Sequence, residues 1–347
     1  MKANKEPKMS PAADRQPASP RKANGGVIGE AKGETSADAP AQTPEGAPAT
    51  TLELRPYRRA LVIANPISGR GLALRAANEL RLGLEQSGVP TSLYETRAKR
   101  DAFSRLRTLD QSTDLVVAVG GDGTVGEVID GLVDPEVHVG VLPFGTANVL
   151  AEEFELPRDV HHALEILRKK RVRHLDVAFA NGQLSFLAVG IGIDGEIVRE
   201  VERARTGPIT KFAYLKAAAR VLPSYKPPRL QVEVDGKEIK GEYGFVLVGN
   251  LQNYGGLFHL APDASSDDGL LEAYLFPTGK RWELVRAFGR SIFGHLPGDG
   301  ITMHRGRHVR VTSLDEEPTA VQVDGDSAGT TPVEVEMGPN RYRLIVP

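Results

Sequence analysis

The stretch VVAVGGDGTVGEVIDGLV, Val116 to Val133, decides how this chain folds. It begins as a β-branched apolar run, breaks into Gly120, Gly121, Asp122 and Gly123, and resumes with Val125, Val128, Ile129 and Leu132 at helical spacing. A strand, a glycine loop and a helix from Thr124 follow from that pattern, with the loop at the strand's carboxyl end. Glycine there lets backbone N–H groups come close to a ligand, and a helix N-terminus favours negative charge, so phosphate is the natural guest. Asp122 repels a bare phosphate but can hold Mg²⁺ against one, and Thr124 can cap the helix and donate its hydroxyl. A tight turn with an incidental aspartate is the plainer alternative. No Gly-Lys-Ser/Thr follows, so this is not a Walker A loop.

The same grammar continues on both sides. Strands are expected at Leu61–Ala64, Ser92–Glu95, Leu115–Val119 and Val139–Leu142, alternating with helices at Leu72–Gln86, Asp101–Leu109 and Thr124–Val133. Alternation of this kind means a doubly wound parallel sheet, whose ligands bind where strands run out into loops. Two further small-residue turns fall at those places: Asn65-Pro66 with Ser68, Gly69 and Gly71, and Gly145-Thr146 ahead of a helix over Ala147–Phe154. One such loop is often only a turn. Three in successive turns of one sheet make a nucleotide cradle.

Near Leu175 the pattern changes to short alternating strands with Gly-bearing turns, and Asn181-Gly182 and Asp235-Gly236 are strong hairpin signals. This half reads as an antiparallel β-sandwich with helical stretches at about Gly195–Leu222 and Arg281–Phe293. The expected organisation is a tail over residues 1–54, an α/β nucleotide-binding domain over 55–172 and a β-sandwich over 173–347, its last strand a candidate to return to the first domain. The tail is rich in Ala, Pro, Gly, Ser and Lys and cannot bury enough apolar surface to order itself. The 347 residues carry a formal net charge of −2 and no cysteine, which excludes disulfides, zinc thiolates and thiol nucleophiles and gives no global signal for nucleic acid. No apolar run is long enough to span a bilayer.

The set Asn65-Pro66 with Ser68-Gly69, then Gly120-Gly121-Asp122-Gly123-Thr124 with Glu127-Val128, then Pro143 with Gly145-Thr146-Ala147-Asn148, resembles the diacylglycerol kinase catalytic domain of soluble bacterial lipid kinases, kin to sphingosine and ceramide kinases. The resemblance runs from about Arg59 to Pro347. It implies an α/β domain like that of NAD kinases and phosphofructokinases, followed by a β-sandwich that carries lipid, with ATP in the cleft between them. It also implies nucleotide contacts at Asn65, Thr96, Gly120, Gly121, Asp122, Gly123, Thr124, Val125, Gly126 and Thr146, with Asp122 helping to place catalytic Mg²⁺. A structural Mg²⁺ is implied at Asp268, with backbone carbonyls of Ser265 and Leu270; without the resemblance, that segment reads as a solvated acidic turn.

The family usually has Asp-Gly-Glu where this chain has Asp324-Gly325-Asp326, and the Glu is its general base. Asp326 can still accept the lipid hydroxyl's proton, with a side chain about one methylene shorter, and misplacement by roughly 1 Å can cost about 100-fold in rate. Gly126 is a second departure, where bacterial relatives often have Asn. The expected function is an ATP- and Mg²⁺-dependent kinase of a diacylglycerol-like or sphingoid lipid. The alternatives are an NAD kinase-like enzyme, which shares the Gly-Gly-Asp-Gly-Thr loop, and a non-catalytic lipid or nucleotide binder. Arg203 to Arg229 holds seven Lys/Arg and no acid, interleaved with Phe212, Tyr214 and Leu215. Besides a solvated basic face, it offers a surface for an anionic membrane, each basic residue being worth ~1 kcal/mol there. A cytoplasmic protein peripheral at the membrane is the expectation, with a homodimer left open.

Overall fold

The computed structural model describes residues 57–204, 211–250, 253–254, 258–259, 266–279, 286 and 300–347. The tail expected over 1–54 lies outside them, as does the helix expected at Arg281–Phe293 apart from Arg286. The first part of the chain gives β1 (Ala60–Ala64), α1 (Leu72–Gln86), β2 (Thr91–Glu95), α2 (Asp101–Leu106), β3 (Leu115–Gly120), α3 (Asp122–Gly131), β4 (His138–Pro143), α4 (Val149–Glu153) and α5 (Val160–Lys169). There follow β5 (Val172–Ala180), β6 (Gln183–Ser185), β7 (Ala188–Ile191), α6 (Ile193–Arg203), α7 (Lys211–Val221), β8 (Leu230–Val234), β9 (Lys237–Gly249), β10 (Asn253–Tyr254) and β11 (Phe258–His259). The chain ends with β12 (Leu271–Pro277), β13 (Thr302–Gly306), β14 (His308–Ser313), β15 (Ala320–Val323), β16 (Asp326–Thr330) and β17 (Val333–Ile345).

Strands β2, β1, β3 and β4 lie side by side and parallel. Their residues alternate between two cores. Ala60, Val62 and Ala64 pack with Val117 and Val119 against Ala73, Ala77 and Leu80 of α1 and Val160, Ala163 and Leu167 of α5. Leu61 and Ile63 pack with Val116 and Ala118 against Ala102 and Leu106 of α2 and Val125, Val128 and Ile129 of α3. A strand buried on both faces has no polar side, which is why β1 and β3 read as unbroken apolar runs. The expectation of a parallel α/β part followed by an antiparallel β part holds.

The sheet continues from β4 through β17, β14, β8, β9, β7, β15 and β16, with β5 and β6 branching from β17, and β12 and β13 from β9. Strand β17 is parallel to β4 at Arg343 and Leu344 and antiparallel to β5 and β14 along most of its length. One face of the antiparallel strands curls around Val189, Ile191, Val232, Val246, Leu275, Val311 and Val335. The other packs Phe245, Leu247, Tyr274 and Phe276 beneath Ile193 and Ile197 of α6 and Leu222. Three hairpin corners take positive φ at both central residues: Asn181-Gly182, Asp235-Gly236 and Asp324-Gly325, as the tight turn between twisted strands requires.

Several helix bounds differ from the sequence reading: α2 ends at Leu106 rather than Leu109, and α4 spans Val149–Glu153 rather than Ala147–Phe154. Helix α3 begins at Asp122, not Thr124, because the Thr124 N–H already bonds the Gly121 carbonyl at 2.9 Å, and Gly121, having no side chain, is its N-cap without a side-chain bond. The helical stretch about Gly195–Leu222 is two helices, α6 and α7.

Glu272 on β12 is 1 % exposed, and neither carboxylate oxygen has a hydrogen bond among the described residues. Arg305 Nε, from the neighbouring β13, stands 3.2 Å from Oε1 as its ion-pair partner. Burial pushes the Glu272 pKa from 4.5 up to about 7, against the attraction of Arg305. Because the folded value lies above the unfolded one, the contribution of Glu272 is present below about pH 4.5 and is lost as pH rises through about 7. Glu272→Gln is therefore expected to raise Tm relative to the parent by more at about pH 8 than at about pH 5, read by thermal unfolding across that range.

Candidate active site

The loops after β1, β3 and β4 meet backbone to backbone. The Asn65 N–H donates to Val119 O at 3.0 Å and the Phe144 N–H to Gly120 O at 2.7 Å. A Cβ on Gly145 would stand 2.5 Å from the Gly121 Cα, and one on Gly121 2.9 Å from the Gly145 Cα, so neither position has room for a side chain. Asn148 staples the third loop: its Oδ1 accepts the Gly145 N–H at 2.7 Å and its Nδ2 donates to Gly145 O at 2.9 Å.

These loops floor one wall of a cleft of about 2990 Å³. Asn65, Thr96, Gly121, Asp122, Gly123, Thr124, Gly126 and Thr146 line it. Gly120 and Val125 do not: Gly120 ends β3 beneath the Thr124 side chain, and Val125 is buried in the core between α3 and the sheet. Thr124 is itself buried, its hydroxyl lying over Gly120 rather than capping α3. Thr96 continues the edge of the cleft through its N–H on Ala64 O at 2.9 Å.

Asp122 faces the cleft, and one carboxylate oxygen accepts the Leu150 N–H at 3.4 Å. Burial raises its pKa above the usual carboxylate range, while the backbone N–H groups at the start of α4 pull it down. An anion at a helix N-terminus is stabilised there, so Asp122 also anchors the third loop to the second. Glu127, one turn into α3, does the same for the loop after β2, accepting the Arg100 N–H at 2.7 Å and the Ala102 N–H at 3.2 Å. The space beside Gly126 is taken by the Phe186 ring, 3.0 Å from where a Cβ would stand. In this chain a side chain at position 126 would press on that ring.

The opposite wall comes from the antiparallel half: Leu184, Phe186, Leu187, Ile193, Ile197, Tyr214, Leu215, Ala218 and Leu222, with the corner between β15 and β16. Asp324 fixes this corner. Its Oδ1 accepts Ser185 Oγ–H at 2.9 Å and the N–H groups of Leu187 and Ala188 at 3.0 and 2.9 Å, and its Oδ2 accepts the Phe186 N–H at 3.0 Å. Burial raises the Asp324 pKa to about 6 against the pull of those four bonds. Two residues on, Asp326 turns into the cleft and its Oδ2 accepts from Lys99 Nζ of the α/β half at 2.8 Å. Asp326 is thus brought to the same cleft as Asp122 and the glycine loops.

Asp268 and Leu270, expected at a structural metal, lie apart from that cleft. Ser265 is outside the described residues. Asp268 is exposed and accepts the Leu270 N–H at 3.0 Å, while the buried Asp176 accepts the Gly269 N–H at 2.6 Å and pairs with Arg341 at 2.9 Å. Asp268 keeps an open face toward solvent, which suits one carboxylate of a water-rich magnesium site. Sequence reasoning gave no role to Asn148, Glu127, Phe186, Lys99 or Gln322. Glu127 and Asn148 alone carried a signal, their places in the motifs that resemble the diacylglycerol kinase catalytic domain.

The two halves that meet at this cleft, the parallel α/β part and the antiparallel β part, each match a known domain. Residues 59–180 match the diacylglycerol kinase catalytic domain, and residues 187–346 match the YegS C-terminal NAD kinase beta sandwich-like domain. The chain is 30% identical over 293 residues to a diacylglycerol kinase of Bacillus subtilis, covering 83% of this chain and 95% of that protein. It is 27% identical over 279 residues to one of Staphylococcus saprophyticus, covering 79% and 91%. A crystal structure of a diacylglycerol kinase from Bacillus anthracis shares the fold, with a TM-score of 0.65 at 24% identity over 84% of this chain and 97% of that one. The chain belongs to the diacylglycerol kinase catalytic domain family, a family of lipid kinases.

Gly145→Ala is expected to weaken nucleotide binding at least about tenfold, since the added methyl forces the two facing loops apart and moves both by a fraction of an ångström or more. Titration calorimetry with ATP reads the loss, and thermal unfolding of the same variant shows whether the fold survives.

Proposed function

We propose that the protein transfers the γ-phosphoryl group of ATP, with Mg²⁺, to the hydroxyl of a diacylglycerol-like or sphingoid lipid. The observation that carries this reading is the single cleft whose one wall is glycine-loop backbone and whose other wall is apolar with Asp326 at its rim. Phosphoryl transfer asks for positioning and charge neutralisation rather than covalent chemistry. The backbone of the loops at Gly121–Gly123 and Gly145–Thr146 would hold the phosphates, and Asp122 would hold the metal. Bound there, Mg²⁺ supplies charge neutralisation at the phosphate oxygens. Asp326 takes the proton of the lipid hydroxyl as its oxygen bonds to the γ-phosphorus; the bond from that phosphorus to the β–γ bridging oxygen breaks, and ADP leaves with the electron pair. The apolar residues of α6 and α7 would hold acyl or sphingoid chain. An NAD kinase-like role is less favoured, because such a wall offers little to a polar dinucleotide acceptor.

Purified protein with labelled ATP, Mg²⁺ and mixed micelles is expected to phosphorylate a lipid of this class and not NAD. Asp326→Ala is expected to lower turnover by about 10²-fold or more with ATP binding intact. ATP binding without turnover of any lipid would instead leave a non-catalytic binder.

We also propose that α7 meets the membrane. Phe212 and Leu215 are 71 % and 66 % exposed on one face of the helix, with Lys216 beside them, an unusual placement for large apolar side chains unless a partner covers them. The basic stretch is less charged than its sequence suggests: Arg203 and Arg220 pair with Glu200, and Arg229 with Asp315. The apolar pair therefore carries more of the contact than the cations do. Phe212→Asp together with Lys216→Glu is expected to reduce sedimentation with anionic phospholipid vesicles at least about tenfold while leaving turnover of a monomeric short-chain lipid unchanged. Unchanged sedimentation rules the surface out.

A further inference from the structure

The corner that carries Asp326 is held on both sides of that residue. The Ser327 N–H, one residue beyond, donates to Glu202 Oε1 of α6 at 2.9 Å. The Gly325 N–H, one residue before, donates to Gln322 Oε1 at 2.8 Å, and Gln322 Nε2 in turn donates to Asp194 Oδ2 of α6 at 2.6 Å. Gln322 is 2 % exposed on a strand whose neighbours are Val and Ala. Its orientation is decided by its partners, since the oxygen must meet the Gly325 donor and the amide must meet the Asp194 carboxylate. Burying an amide among apolar residues is unfavourable unless both ends are bonded, as they are here. Room for the pair is made by Gly190, which lies opposite Gln322 on β7. A Cβ there would stand 2.1 Å from Asp194 Oδ2 and 2.8 Å from Gln322 Nε2.

We propose that Gln322 is a positioning residue for phosphoryl transfer. It passes the fixed place of Asp194 on α6 to the Gly325 peptide and so sets where the next side chain, Asp326, stands. The inference rests on Asp326 being the proton acceptor. A short aspartate cannot make up for backbone misplacement by swinging a longer side chain, so its reach depends on how the corner is held.

Gln322→Leu, close in volume and without polar atoms, is expected to lower kcat about 10- to 100-fold with KM for ATP within about twofold of the parent. In an Asp326→Asn background the same change adds no further loss, because there is no proton acceptor left to misplace. If Gln322→Leu does not fold, Gln322→Glu takes its place. That variant keeps an oxygen on the Gly325 N–H and sets the other against Asp194, and kcat falls; adding Asp194→Asn reverses donor and acceptor across the bond and restores kcat to within about fivefold. Full kcat in Gln322→Leu, an added loss in the Asp326→Asn background, or no restoration in the Asp194→Asn/Gln322→Glu pair overturns the proposal. Full turnover by Asp326→Asn alone overturns the reading of the base instead.

Discussion

Strand β17 is the constraint on which the rest of the molecule depends. Its Arg343 and Leu344 extend the parallel sheet beside β4, while its earlier residues pair antiparallel with β14 and β5. Two sheets of different grammar therefore become one hydrogen-bonded surface, and Tyr342 and Leu344 are buried in the core that α2 and α3 cover. Because the strand that crosses between the halves is bonded on both sides, the corner at Asp324–Asp326 faces the glycine loops in a defined geometry. Without that crossing, the two walls of the cleft would lose their continuous hydrogen-bonded link and keep side-chain contacts such as Lys99 on Asp326 and Phe186 against Gly126.

Within the cleft, charge is used largely to hold backbone. Asp122 sits on the start of α4, Glu127 on the start of α2, and Asp324 on three successive N–H groups and a hydroxyl. A carboxylate accepting several N–H bonds cannot leave without orphaning buried donors, so these contacts are stiff. Asp326 differs: its carboxylate is half-exposed and its bond to Lys99 crosses between the halves at the surface. An exposed pair of this kind holds weakly, which leaves that carboxylate free to exchange its partner.

Much of the fold was legible from local pattern. The apolar runs of β1 and β3, the spacing of Ala76, Leu80 and Leu84 along α1, and the Asn-Gly and Asp-Gly corners each report a preference that neighbours in sequence decide. The start of α3 escaped because its first turn is closed by backbone alone, the Gly121 carbonyl accepting the Thr124 N–H, with no capping side chain to mark it. The site was legible as three glycine loops but not as contacts. Gln322 looked like one more residue of an alternating strand, and its partner Asp194 lies 128 residues away. Lys99 and Asp326 are 227 residues apart, and no periodicity links such positions.

The amino-acid sequence by itself determined the order of strands and helices, the glycine turns at strand ends and the departures at Gly126 and Asp326, because these depend on backbone preference and residue identity alone. Only the tertiary structure decided that Asp122, Glu127 and Asp324 are tied to backbone while Asp326 pairs with a side chain, that Phe186 fills the space beside Gly126, and that Gln322 links α6 to the corner. Those outcomes follow from the packing of segments far apart in the chain, where one hydrogen bond or one absent Cβ is set by what the fold places opposite it.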